Sequence, residues 1–162
     1  MHELIGTVGY AIAFWAVASE RDAHMRLGLG AACGINALYF WLSGMHLTAA
    51  AMLFTAARIA ITVVWRPAWL AYIVIGSYLL IPFFIPGSDY LVIAAAIFGT
   101  CAVFFATGLR MRALVAICTG LLCANAAIGG AVAGAVGEGL ILGMSLWRIQ
   151  TLRAANTAAA AR

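Results

Sequence analysis

Residues 113–147, with the sequence ALVAICTGLLCANAAIGGAVAGAVGEGLILGMSLW, decide the fold of this chain. Glu138 is their only charged residue. As one helix the segment would extend about 52 Å at 1.5 Å per residue, whereas the hydrocarbon core of a bilayer is about 30 Å thick. A tight turn costs least in the glycine-rich stretch 129–137. The segment is therefore predicted to cross a membrane, turn back and cross it again.

The rest of the chain is similarly apolar. Of the 162 residues, 66% are hydrophobic and 9% are charged, and the mean hydropathy is +1.07. A soluble domain has about 25% charged residues. The sequence thus predicts an all-α polytopic membrane protein with seven transmembrane helices in one domain, residues 1–153, followed by an alanine-rich tail, residues 154–162. The five earlier apolar runs are Leu4–Ser19, Leu27–Ser43, Leu47–Trp65, Trp69–Ile85 and Tyr90–Leu109.

The basic residues predict the direction of each crossing. All nine are arginines, and those outside the apolar runs fall in alternate connections. Cytoplasmic loops of membrane proteins are rich in Lys and Arg, so the amino terminus is predicted to be outside and the carboxy terminus cytoplasmic. The net charge of +4 therefore gives no indication of nucleic-acid binding. The predicted cytoplasmic arginines are Arg21, Arg26, Arg66, Arg110, Arg112, Arg153 and Arg162, whereas the outer connections contain Glu3, His46 and Asp89.

The chain also contains a weak internal repeat. It predicts two parallel three-helix bundles, residues 4–66 and 90–150, joined by a linker helix, residues 67–87. A three-helix unit ends on the opposite side of the membrane from its start, so one extra crossing lets the second copy insert in the same direction. Chance matching among apolar residues is the alternative. The matching residues are Met25-Arg26 with Met111-Arg112, Asn36-Ala37 with Asn125-Ala126, and Thr55, Arg58 and Ile59 with Ser145, Arg148 and Ile149.

Four short motifs resemble a known family. They are IGTVGYAIAF at residues 5–14, ARIAIT at 57–62, GLRMR at 108–112, and Glu138-Gly139 upstream of Trp147-Arg148. In these motifs the chain resembles the YgjV-type family of bacterial inner-membrane proteins. The resemblance covers roughly residues 5–150 and implies a location in the bacterial inner membrane. Together with the hydropathy and the arginine pattern, it predicts a multi-pass protein with a periplasmic amino terminus. It implies no activity and no catalytic residues.

The three-one-three helix layout is similar to that of the SWEET and PQ-loop transporters. Those transporters use prolines as hinges in the first two helices of each bundle. Here the three prolines, Pro67, Pro82 and Pro86, lie in or beside the fourth helix. Glycines within the bundles are the alternative source of flexibility, and fold alone does not establish function.

Arg58 is the strongest candidate for solute binding, together with Thr55 one turn away on the same helix face. A charge at the centre of a bilayer is costly, so such arginines usually face a cavity or a partner. The alternatives are a side chain that snorkels to the headgroups and a structural hydrogen bond. Arg148 and Ser145 form the matching pair nearer a helix end, where snorkelling is the stronger alternative.

Asn36 and Asn125 are predicted near the middle of corresponding helices, where they would either line a central cavity or bond to neighbouring helices. Glu138 is the one carboxylate inside an apolar run. If it is buried, it is a candidate for proton coupling. Its alternative is a solvated position at the positive amino-terminal end of the seventh helix.

Other functions find no support in the sequence. Because the chain has no lysine, it cannot form a retinal Schiff base, and its four cysteines lack C-x-x-C spacing and are expected to be apolar fillers. No metal, cofactor or catalytic cluster is predicted, so an enzyme is not expected. The prediction is a transporter of a small polar or anionic solute within the lipid bilayer. The alternative is a non-transporting accessory or interaction protein, and whether copies of the chain assemble into a homo-oligomer stays open.

Overall fold

The structure is a computed structural model that describes residues 2–19, 21–65, 67–85 and 89–160. Within these ranges the chain is all-α, with seven helices and no strand. The sequence predictions for Arg66, Pro86 and Arg162 concern residues outside the described ranges. The helices are α1 His2–Ala18, α2 Asp22–Leu42, α3 His46–Val64, α4 Ala68–Phe84, α5 Leu91–Phe105, α6 Gly108–Ile128 and α7 Val132–Ala160.

The predicted fold-back is present, whereas the predicted end of the fifth helix is wrong. α6 ends at Ile128 and α7 begins at Val132, with Gly130 between them at a φ of +73°, a conformation that favours glycine. α5 ends at Phe105 instead of Leu109, and Gly108 at a φ of +55° reverses the chain. Arg110 and its neighbours therefore lie in the first turn of α6. α7 continues through the alanine-rich tail to Ala160.

Six of the helices form a ring. α1, α2 and α3 pack in sequence, α3 packs against α5, and α5, α6 and α7 again pack in sequence, so that α7 returns to α1. α4 packs against α3 and α5, outside the ring. Two three-helix units joined by a linker helix would produce this order of contacts.

Two of the helices qualify as membrane spans by length and composition alone. They are Gly108–Ile128 in α6 and Val132–Ala154 in α7. α1, α4, α5 and the segment His46–Thr62 of α3 are apolar but have at most 17 residues. Since 17 residues extend about 25 Å, such helices are somewhat shorter than the hydrocarbon core. The seven crossings therefore stay a prediction.

The surface of the bundle carries large apolar side chains, whereas many of the buried residues are alanines. Phe83 is 81% exposed and Ile128 is 80% exposed, and exposed large apolar side chains occur on every helix. The best-buried residues include Ala95 and Ala126, each 0% exposed. A soluble monomer rarely exposes apolar surface on this scale. This distribution fits a protein surrounded by lipid.

Arginines cluster at one end of the bundle. The Arg112 guanidinium donates hydrogen bonds to the backbone carbonyls of Val17 (3.5 Å) and Ser19 (3.3 Å), and Arg148 donates to that of Ala18 (3.0 Å). These carbonyls lie at the carboxy-terminal end of α1, where the helix dipole and the unsatisfied backbone acceptors favour positive charge. The end of α1, the start of α6 and the last turns of α7 therefore meet at the same end of the bundle.

Candidate functional site

The centre of the helix ring contains a cavity of about 90 Å³. All six ring helices contribute to its wall, and most of the lining is apolar. Polar and ionisable side chains interrupt this lining on four of the helices. They are Cys33 and Asn36 on α2, Thr55 and Arg58 on α3, Cys118 and Thr119 on α6, and Glu138 on α7.

Arg58 is held in the cavity wall by α5. Its side chain is 4% exposed, so it does not snorkel to the surface. Nη1 donates a 2.8 Å hydrogen bond to the Thr100 hydroxyl, which itself donates to the carbonyl of Ala96 at 2.7 Å. Nε is buried without a hydrogen-bond partner. The predicted structural hydrogen bond and the predicted position beside a cavity therefore occur together.

Space beside the Arg58 guanidinium comes from Gly99 on α5. A Cβ atom at Gly99 would lie 3.6 Å from Arg58 Nη2 and 3.4 Å from the sulfur of Cys118. These are ordinary van der Waals distances, so a methyl group would fit there while narrowing the cavity.

Thr55 connects the cavity wall to the helix outside the ring. Its hydroxyl lies 2.5 Å from that of Tyr78 on α4, and either oxygen can donate. Tyr78 is fully buried. α4 is thereby fixed against the ring by a polar contact as well as by apolar packing.

Glu138 is buried in the cavity wall, in the second turn of α7. It is 5% exposed, which removes the solvated position that the sequence left as an alternative. No described residue forms an ion pair with it, including Arg58, although both line the same cavity.

Asn36 lies where α2 crosses a glycine of α1. A Cβ atom at Gly9 would lie 2.0 Å from Asn36 Oδ1, a separation that no real side chain could adopt. Asn36 is 3% exposed and its Oδ1 has no hydrogen-bond partner. The absence of a side chain at Gly9 thus makes room for the Asn36 amide oxygen where α1 and α2 cross.

Two predicted site residues lie away from the cavity. Asn125 donates a 2.9 Å hydrogen bond to the hydroxyl of Thr48 on α3. The Asp89 carboxylate, just before α5, accepts from the backbone N–H of Thr48 at 2.9 Å and from its hydroxyl. Asn125 therefore forms the helix-to-helix contact that the sequence left as its alternative. Ser145 is buried near Arg112, outside the cavity, and its hydroxyl has no partner.

The sequence did not single out several residues of this region. Thr100 holds Arg58, and it is the only hydroxyl side chain in α5, which is the signal that could have found it. Cys33 and Cys118 were expected to be fillers, yet both line the cavity. Asp89 was treated only as an outer-loop charge. Among the described residues, no group of His, Cys, Asp and Glu is arranged to hold a metal ion.

Comparison with known proteins identifies the family. The model of the family Imp-YgjV, described as bacterial inner membrane protein, matches residues 1–156, so the chain belongs to this family. The resemblance drawn from its short motifs is thereby confirmed. No curated protein and no solved structure matches the chain.

Proposed function

We propose that this inner-membrane protein transports a small polar solute, which it binds in the central cavity. The observation that carries the proposal is the presence of Arg58, Glu138 and Asn36 in one cavity within an apolar helix ring. Ionisable residues inside membrane proteins are costly and usually line a substrate or ion pathway. A protein that only needed a stable core would be as well served by apolar side chains at these positions.

The size of the cavity limits the solute. A cavity of about 150 Å³ holds benzene, and this one has about 90 Å³. The solute therefore contains on the order of four non-hydrogen atoms in this conformation. Arg58 favours a solute with an anionic group, and Thr55 offers a hydroxyl beside it.

The ring has two seams at which the proposed halves meet. One lies between α1 and α7 and the other between α3 and α5. In our proposal, the two bundles run parallel as in the SWEET-like layout, and opening the seams toward either end exposes the cavity to one side of the membrane at a time. Glu138 is the candidate for proton coupling. The arginine-rich end is cytoplasmic, which puts the amino terminus in the periplasm.

Uptake into liposomes containing the purified protein tests this function. A mixture of small labelled polar solutes serves as the substrate pool. We expect the wild type to take up a subset of them and Arg58→Gln to reduce that uptake about tenfold or more, because a hydrogen bond to a charged group contributes about 1.5–3 kcal/mol. Arg148→Gln is the matched control, since it removes an arginine outside the cavity. The absence of uptake for every solute, or equal loss in both variants, would exclude transport through this cavity.

A second function, a non-transporting accessory protein, is favoured by a different observation. The contacts among Asn125, Thr48 and Asp89 are pairwise bonds between elements, as expected of a scaffold. Purification from the native membrane distinguishes the two. A stoichiometric partner that remains bound to Arg58→Gln would favour the accessory function.

A further inference from the structure

Two opposite charges line one cavity without contacting each other. Arg58 is 4% exposed and Glu138 is 5% exposed, and they form no ion pair. Burying a charge without a partner is strongly unfavourable, and the usual solution is a direct ion pair. Here the two residues sit on α3 and α7, and both line the same cavity.

We propose that the cavity binds a small zwitterion, an amino acid of about the size of glycine, with its carboxylate on Arg58 and its ammonium on Glu138. This inference rests on the proposed function, because it takes the cavity to be the solute site. A zwitterion is the one class of small solute that neutralises both buried charges at once. An anion of the same size leaves Glu138 unpaired, and a cation leaves Arg58 unpaired.

The hydrogen bonds of Arg58 fit a carboxylate ligand. A guanidinium binds a carboxylate through two parallel N–H groups, and Nε and Nη2 form one such edge. Thr100 occupies Nη1, on the other side of the group, and Nε has no partner. Gly99 keeps the space next to Nη2 free of a side chain. The edge suited to a carboxylate is therefore the one that Thr100 does not occupy.

The part of the cavity wall that Glu138 forms fits an ammonium group. Among the described residues none donates a hydrogen bond to Glu138, whose carboxylate lines the cavity. An ammonium group has three donors and no acceptor. The Glu138 carboxylate therefore provides acceptors for such a group.

Three isosteric probes test the proposal by binding: glycine, propionate, which replaces the ammonium by a methyl group, and isobutylamine, which replaces the carboxylate. The cavity supplies its own reporters, the Cys33 and Cys118 thiols. Their reaction with methyl methanethiosulfonate, followed by mass spectrometry on the purified full-length protein, is measured at increasing probe concentration, and thermal unfolding provides a second measure of binding. We expect glycine to protect the thiols, and to raise the unfolding temperature, at concentrations at least about tenfold lower than either analogue.

Variants at the two charged residues should change which of the three probes binds best. Glu138→Gln should favour propionate over glycine, and Arg58→Gln should favour isobutylamine. Glu3→Gln and Arg148→Gln, which remove charges outside the cavity, should keep the wild-type order. If these variants do not fold, the three-probe comparison on the wild type decides alone.

The outcomes separate this inference from the proposed transport. Equal binding of glycine and propionate by the wild type, or binding of none of the three probes by either measure, overturns the zwitterion site. A glycine preference that survives Glu138→Gln also overturns it, and would assign that carboxylate to proton coupling. Glycine binding without uptake into liposomes would support the zwitterion site and exclude transport. Uptake of solutes without a charge preference would support transport and exclude the zwitterion site.

Discussion

The two halves of the chain carry the same polar residue types at matching positions and use them differently. Asn36, Thr55 and Arg58 of the first half line the central cavity. In the second half Asn125 donates a hydrogen bond to Thr48, and Ser145 is buried near the arginine-rich end. Arg148 donates a hydrogen bond to a backbone carbonyl at the end of α1. A matching residue type therefore indicates a shared position along the helix but not a shared task.

One matched pair supports the proposed repeat. The interval from Thr48 to Glu138 equals that from Arg58 to Arg148. The hydrogen bond from Asn125 to Thr48, which joins the two halves, thus corresponds to the pair Asn36 and Glu138, which also come from different halves and line the same cavity. A direct hydrogen bond joins Asn125 to Thr48, whereas the Oδ1 atom of Asn36 has no hydrogen-bond partner.

The largest effect is expected at two glycines separated by the same interval. Gly9→Ala would place a methyl group 2.0 Å from Asn36 Oδ1 and force the two helices apart, whereas Gly99→Ala meets its nearest atom at 3.4 Å. We expect Gly9→Ala to lower the free energy of unfolding by about 3 kcal/mol, because overpacking typically costs 1–3 kcal/mol. Gly99→Ala should change it by less than about 1 kcal/mol. Thermal unfolding in detergent measures both variants. Equal losses of stability in Gly9→Ala and Gly99→Ala would show that the two halves do not differ at these glycines.

Loss of the Asp89 contacts should have the next largest effect. Asp89→Ala removes the acceptor for the Thr48 backbone N–H and hydroxyl, which leaves the start of α3 without its charged partner. The free energy of unfolding should fall by about 2 kcal/mol, as for other hydrogen bonds to charged groups. Glu3→Ala is the control, since that carboxylate lies exposed at the start of α1. The two variants should differ in unfolding temperature, and a drop of similar size in Glu3→Ala would contradict a specific role for Asp89.

The sequence predicted the helices and the chemistry of the site better than its geometry. Hydropathy and the length of segment 113–147 were sufficient for seven helices, and isolated polar residues in apolar runs identified Arg58, Glu138 and Asn36. Helical periodicity could not show that Asn125 differs from Asn36, because the partner of Asn125, Thr48, lies on a helix distant in sequence. Thr100 was missed for the same reason, since its importance depends on a contact between α3 and α5.

Tyr78→Phe should have a smaller effect than Gly9→Ala or Asp89→Ala. It removes one hydrogen bond, between the Tyr78 and Thr55 hydroxyls, and keeps the aromatic side chain that packs between α4 and the helix ring. We expect a loss of about 1 kcal/mol in the free energy of unfolding. Tyr72→Phe, at an exposed tyrosine of the same helix, is the matched control and should have no measurable effect. If both variants unfold like the wild type, α4 is fixed by apolar packing alone.

The smallest effect is expected at Ser145, the counterpart of Thr55 in the second half. Its hydroxyl is buried, and it has no hydrogen-bond partner. Removing an unsatisfied polar group takes away its desolvation cost, which offsets the small loss of packing. Ser145→Ala should therefore unfold within about 0.5 kcal/mol of the wild type and bind solute unchanged. Thr55→Ala, in contrast, should weaken both, because it breaks the bond to Tyr78 and alters the cavity wall. Reduced solute binding by Ser145→Ala would show that the second half also contributes to the site, and the proposed division between the halves would then be wrong.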